Sequence, residues 1–137
     1  MKTNYASKKP AVYIIDGLNF IRGFVIKNGS SAEEETLTAE LISWLDELGR
    51  GELYASQFRI ILDGVYRNVG HTRTNCVNAQ FADGCSADEI IREQAAYLKQ
   101  NGERVIVVTS DLELGAKIKQ LGVKVIGCGK FFNSFYN

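Results

Sequence analysis

Val105-Ile106-Val107-Val108 places four consecutive β-branched side chains in the chain with no polar residue among them. Side chains of a strand alternate between its two faces, so such a run fits only a sheet covered on both sides. That points to a largely parallel sheet with helices above and below it. Val12-Tyr13-Ile14-Ile15 and Ile60-Ile61-Leu62 repeat the pattern. Between these runs apolar residues recur at helical spacing, which gives the alternation of strand and helix that right-handed crossovers build.

The runs share a second property: each leads to an aspartate. Asp16 follows Ile15, Asp63 follows Leu62, and Asp111 follows Thr109-Ser110. Open parallel sheets bind their ligands outside the carboxyl ends of the strands, so these three carboxylates are expected at one edge. Asp88, at a helix start just after Ser86, would add a fourth. Carboxylates gathered this way raise one another's pKa unless a cation neutralises them. Mg²⁺ or Mn²⁺ is the natural ligand, because hard divalent ions take carboxylate oxygens and keep waters for a phosphate substrate. The single histidine, His71, cannot build a zinc site alone. Each aspartate also has a local reading. Asp16-Gly17 and Asp63-Gly64 suit turns, and Asp16, Asp88 and Asp111 suit the first turn or cap of a helix. Only their joint arrangement favours the metal site.

The remaining elements follow from periodicity and punctuation. Residues 11–15 are expected as the first strand, followed by a short helix with Leu18, Ile21, Phe24 and Val25 on one face. Gly29-Ser30-Ser31 breaks the pattern. Leu37, Leu41, Trp44, Leu45 and Leu48 then mark a helix running to Gly49 and Gly51. Phe58–Leu62 is a strand, and Thr74–Phe81 alternates like a half-buried one. Ser86 caps a helix with Ala87, Ile90, Ile91, Gln94, Ala95 and Leu98 inward, ended by Asn101-Gly102. After Val105–Val108 come a helix through Leu112, Gly115, Ile118 and Leu121 and a last strand over Val123–Ile126.

A chain of 137 residues with 45% apolar composition fits one domain, taken as residues 11–137 behind a tail of residues 1–10. No apolar stretch approaches the roughly 20 residues of a membrane span, and a cytoplasmic location is expected. Cys76, Cys85 and Cys128 show no C-x-x-C spacing and read as reduced thiols. Sixteen basic residues balance sixteen acidic ones, so no global field advertises a polyanion. Locally, however, residues 64–80 carry Arg67, His71 and Arg73 with no Asp or Glu, while Glu33, Glu34 and Glu35 cluster before a helix.

Three ordered motifs carry a family resemblance. Asp16-Gly17-Leu18-Asn19-Phe20-Ile21 resembles the D-G-x-N-x-I opening of NYN domains, a branch of the PIN-like nucleases, and of the YacP-like group in particular. Ser86-Ala87-Asp88-Glu89-Ile90-Ile91 is similar to that family's (S/T)-A-D-x-x-I helix start, and Val105 to Asp111 to its V-x-V-V-T-S-D strand end. Leu121–Ile126 followed by Phe131-Phe132 resembles its closing strand and helix. The resemblance implies a PIN-like three-layer α/β/α sandwich with a mostly parallel central sheet that binds Mg²⁺ or Mn²⁺ and cleaves RNA. It assigns Asp16, Asn19, Asp88 and Asp111 to catalysis. Asp16, Asp88 and Asp111 become the metal ligands, with Asp63 and Glu89 as further candidates.

Asn19, Ser110, Arg67, His71 and Arg73 are the expected substrate contacts, with Tyr66 available to stack on a base. The implied partner is RNA, single-stranded or ribosome-associated by analogy, with no membrane and with a homo-oligomer left open. One position departs from the pattern: Arg92 stands where the family commonly has Glu. Glu93 lies about 100° further around the helix and cannot replace it. That departure supports the alternative, a PIN-like RNA-binding protein with weak or no turnover. A haloacid dehalogenase-like phosphatase is disfavoured because Leu18 stands where its second Asp is needed. A glycine-rich phosphate loop and a G-x-S-x-G element are both absent.

Overall fold

The computed structural model describes residues 8–24, 31–65 and 72–135. In chain order the elements are β1 (Val12–Asp16), α1 (Gly17–Phe24), α2 (Ser31–Arg50), β2 (Gln57–Asp63) and β3 (Val77–Ala82). There follow α3 (Ala87–Gln100), β4 (Val105–Val108), α4 (Leu112–Gln120), β5 (Lys124–Ile126) and α5 (Cys128–Phe135). The strands form one sheet in the order β3-β2-β1-β4-β5, and every pairing is parallel. The order reverses beside β1, where the chain crosses from β3 to β4. Ile15 lies opposite Val108 in the register, so Asp16 and Thr109 leave the sheet side by side at this switch point.

The sheet is covered on both sides, as the polar-free strands demand. Tyr13, Ile15, Phe58, Ile60 and Val108 face α1, α2 and α5. Val12, Ile14, Ile61, Val105 and Val107 face α3 and α4. All four residues of β4 are buried. The first face is rich in aromatics: Tyr13 stacks on Phe58 at 5.3 Å between ring centres, and Phe131 packs edge-on against Trp44 at 5.8 Å. Each fully buried side chain of this kind contributes about 1.5–3 kcal/mol, which makes this layer the main hold on α2 and α5.

Several elements differ from expectation for identifiable reasons. The α2 helix continues through Gly49, where an added Cβ would collide with Cys76 Sγ, so this glycine serves close packing rather than helix ending. Thr74 to Cys76 do not extend β3. The Thr74 hydroxyl instead accepts the amides of Cys76 (3.3 Å) and Val77 (3.0 Å) in a tight turn. That turn folds Arg73 back as an antiparallel bridge partner of Asn78. In α4 the inward leucine is Leu114, while Leu112 is 89% exposed. The Asp111 cap sets the helix start, and that start rotates Leu112 outward. Val25, placed on the inner face of the first helix by periodicity, lies outside the described residues.

Candidate active site

The carboxyl edge is assembled by caps. Asp16 is the last residue of β1, and α1 begins at Gly17 with no loop between them. The Asp16 carboxylate accepts the backbone N–H of Asn19, closing the first turn. So abrupt a turn presses α1 on β2. A Cβ at Gly17 would lie 2.7 Å from Leu62 Cδ2 and 2.9 Å from Ile60 Cγ2, which is why this position is glycine. Asp111 Oδ1 accepts the amides of Glu113 (3.0 Å) and Leu114 (3.1 Å) and so caps α4. Asp63 Oδ1 accepts the amide of Ala87 at 2.9 Å, fixing the start of α3. Three strand-end carboxylates therefore hold three helix N-termini at one edge, where the helix dipoles favour negative charge.

Thr109 joins the first two. It is 3% exposed at the end of β4, and its hydroxyl lies 3.0 Å from Asp16 Oδ2 and 3.4 Å from Asn19 Oδ1. A hydroxyl has one proton, and the nearer, charged acceptor takes it. The same oxygen accepts the Asp111 amide at 3.1 Å. Asn19 Oδ1 is then satisfied by the Ser110 amide at 2.7 Å and the Cys128 thiol at 3.3 Å. Burial pushes that thiol up to about 11, so it stays protonated and remains a donor. With Oδ1 committed, the orientation of the Asn19 carboxamide is fixed. Its Nδ2 has no acceptor among the described residues. Ser110 Oγ accepts the Cys128 amide at 3.0 Å and ties α5 to the same edge.

Burial raises the Asp16 carboxyl above its ordinary range. The bonds from Thr109 and Asn19 oppose this, and the charges of Asp111 and Asp63 add to it. No described Lys or Arg forms an ion pair with Asp16 or Asp111. Uncompensated oxygen donors of this kind suit a hard divalent ion, which usually takes one or two carboxylates and fills its shell with water and substrate oxygens. Among the described residues no three His, Cys, Asp or Glu side chains are placed to ligate one ion together. Asp16 has the charges of both Asp111 and Asp63 within electrostatic reach.

The other expected site residues are placed elsewhere or are engaged. Asp88 Oδ1 receives Arg92 Nε at 2.7 Å, and its Oδ2 lies 3.9 Å from Lys117 Nζ on α4. Glu89 completes a capping box with Ser86, its Oε1 accepting the Ser86 amide at 3.3 Å while Ser86 Oγ accepts the Glu89 amide at 3.1 Å. Arg73 is exposed beside Asn78, nearer the opposite end of β3 from the carboxylates. Arg67, His71 and Tyr66 lie outside the described residues. Two site residues escaped sequence reasoning. Thr109 carried a usable signal, since a hydroxyl at the end of an all-apolar strand must find a partner. Cys128 carried none.

A parallel sheet in this order, with acidic caps and a motif asparagine at its switch point, is the frame of a PIN-like nuclease domain. The sequence profile of the YacP-like NYN domain matches residues 13–136, and the chain belongs to that family, one of the PIN-like nucleases. Among solved structures, the crystal structure of Rae1 (YacP) from Bacillus subtilis in its W164L mutant form superposes with a TM-score of 0.74. It is 20% identical in sequence, over 90% of this chain and 73% of that one. The structure of Rae1 without that substitution gives 0.72 at 20% identity, over 89% of this chain and 71% of the other. None of the curated proteins compared matches the sequence. The expected α/β/α sandwich is thus the fold this chain shares with the YacP structures. Among the described residues no helix is long and apolar enough to cross a membrane.

Proposed function

We propose that the chain is a metal-dependent endoribonuclease acting at the edge between β1 and β4. The observation that carries this reading is the Asp16–Thr109–Asp111 arrangement with Asn19 locked beside it. Asp16 and Asp111 would hold Mg²⁺ or Mn²⁺, which supplies an activated water and charge stabilisation for in-line attack on a phosphodiester. Thr109 holds Asp16 Oδ2 in place. Asn19 Nδ2 donates to a phosphate oxygen, and the N-termini of α1, α3 and α4 favour the charge that builds there.

A second reading, RNA binding with little turnover, is favoured by one observation: Asp88 is ion-paired with Arg92 and lies 3.9 Å from Lys117. The two separate cleanly. Labelled single-stranded RNA is incubated with Mg²⁺ or Mn²⁺ and wild-type protein, Asp16→Asn or Asp111→Asn. Cleavage by wild type alone supports the nuclease, and equal cleavage by all three removes it. Binding without cleavage in any of them supports the second reading.

A further inference from the structure

A cavity stands apart from the carboxylate edge. It is an open pocket of about 490 Å³ at the outer margin of the sheet, and no Asp or Glu lines it. Arg59 and Arg73 do. In the register Arg59 of β2 lies opposite Asn78 of β3, and Asn78 in turn bridges to Arg73. Residues paired across strands share a face, so Arg59, Asn78 and Arg73 form a row over three neighbouring segments. At about 4.8 Å per strand the two arginines stand roughly 10 Å apart with an amide between them.

The row is held from behind. Arg59 NH1 donates to Gln94 Oε1 at 3.2 Å, and Gln94 Nε2 donates to Gln80 Oε1 at 2.9 Å. A guanidinium has five N–H donors, so Arg59 keeps most of its fork for a ligand while α3 fixes its direction. Neither arginine meets a carboxylate among the described residues. One oriented and one exposed guanidinium with flanking carboxamides are the chemistry of phosphate and base-edge recognition, while the nearby Asp46 carboxylate is taken up by Thr74, Arg50 and Cys76.

Arg59 also lies on the same face of β2 as Asp63, four residues before it, which is about 13 Å along the strand. The helix α3 spans the same interval, from Ala87 at Asp63 to Gln94 at Arg59.

We propose that this pocket is a second subsite for single-stranded RNA. It holds a phosphodiester and its base about 13 Å along β2 from Asp63, between the starts of β2 and β3 and the turn that precedes β3. The inference rests on the reading of the chain as one that acts on RNA, yet it is tested without cleavage. Metal-free protein in chelator is titrated with a labelled RNA hexamer, followed by fluorescence anisotropy and by amide chemical shifts. The expected result is movement of the Asn75, Asn78 and Gln80 amides and a 5- to 10-fold loss of affinity in Arg73→Gln. The log-log salt slope should also fall by about 0.7 for the lost phosphate contact.

Arg73 is exposed, so that variant tests binding without disturbing the fold; Arg59→Gln is the companion. Wild-type affinity in both variants would overturn the proposal, as would shifts confined to the Asp16 and Asp111 edge. Adenosine monophosphate binding as tightly as the hexamer would also overturn it, since the pocket would then serve a free nucleotide. Polyglutamate competing as well as RNA would do the same. A protein that binds RNA here and never cleaves it retires the nuclease and leaves this subsite standing. A nuclease indifferent to Arg73→Gln does the reverse.

Discussion

The Ser110 backbone amide donates to Asn19 Oδ1 at 2.7 Å, joining the end of β4 to the first turn of α1 across 91 positions of sequence. With the Cys128 thiol on the same oxygen, the bond fixes which end of the Asn19 amide remains available. Asn19→Asp keeps an acceptor for both donors but replaces the Nδ2 donor with a fourth negative charge. The expected outcome is a fall of at least 100-fold in RNA cleavage with thermal stability near wild type. A variant with unchanged kcat/KM would show that Nδ2 touches nothing in the reaction.

Arg92 is a competitor for Asp88. Removing its charge in Arg92→Gln leaves the carboxylate with Lys117 at 3.9 Å as its remaining cation. Mn²⁺ titrated calorimetrically or by electron paramagnetic resonance is expected to bind roughly 3- to 10-fold more tightly than to wild type, an ordinary size for the loss of one close charge. Equal or weaker binding would mean that Asp88 has no reach to the ion.

The raised pKa of Asp16 has a definite sign in stability. The fold binds the Asp16 proton more tightly than the unfolded chain does. Its stabilising contribution is therefore complete below the unfolded value of 3.8 and is lost as pH rises through the higher folded value. At pH 7 this contribution is smaller than in acid, and Asp16→Asn should melt higher than wild type. Circular dichroism melts at pH 7 and near pH 3.5 test this. The advantage should shrink in acid, and an advantage independent of pH would assign it to something other than charge.

Gly17→Ala should be costly although the change is a single methyl. The added carbon would meet Leu62 Cδ2, Ile60 Cγ2 and, at 3.0 Å, the Ile61 carbonyl oxygen. The backbone oxygen cannot yield without moving β2. A loss of about 2–3 kcal/mol in urea unfolding is expected, with cleavage falling as α1 and Asn19 shift. Stability within 0.5 kcal/mol of wild type would show that α1 can lift from the sheet at little cost.

The strands were legible because burial on both faces leaves an unmistakable mark: Val105 to Val108 has no polar residue, and no other element type explains it so simply. Positions fixed by what lies across space were not. Gly49 resembles a helix stop, and only the nearness of Cys76 shows it to be a packing glycine. Thr74 to Cys76 alternate like a strand, yet a side-chain hydroxyl captures the backbone first. At the site, Asp16, Asp63 and Asp111 were found from their place after apolar runs, and the helix-cap reading of Asp16 and Asp111 describes their bonding as well. The Asp88–Arg92 pair was present in the sequence at a spacing of four, which on a helix is contact distance. The bond from Cys128 to Asn19 spans 109 positions and leaves no local trace.

Asp111 gives one oxygen to the start of α4 and has no protein partner for the other among the described residues. An ion drawn to that second oxygen would weaken the first as an acceptor and loosen the opening turn of α4. The same helix carries Lys117, which leans on Asp88. Occupancy at one aspartate and release of the other are therefore linked through a single rigid rod, and linkage runs equally in both directions. Amide hydrogen exchange at Glu113 and Leu114 would act as a gauge of what sits on Asp88 of α3.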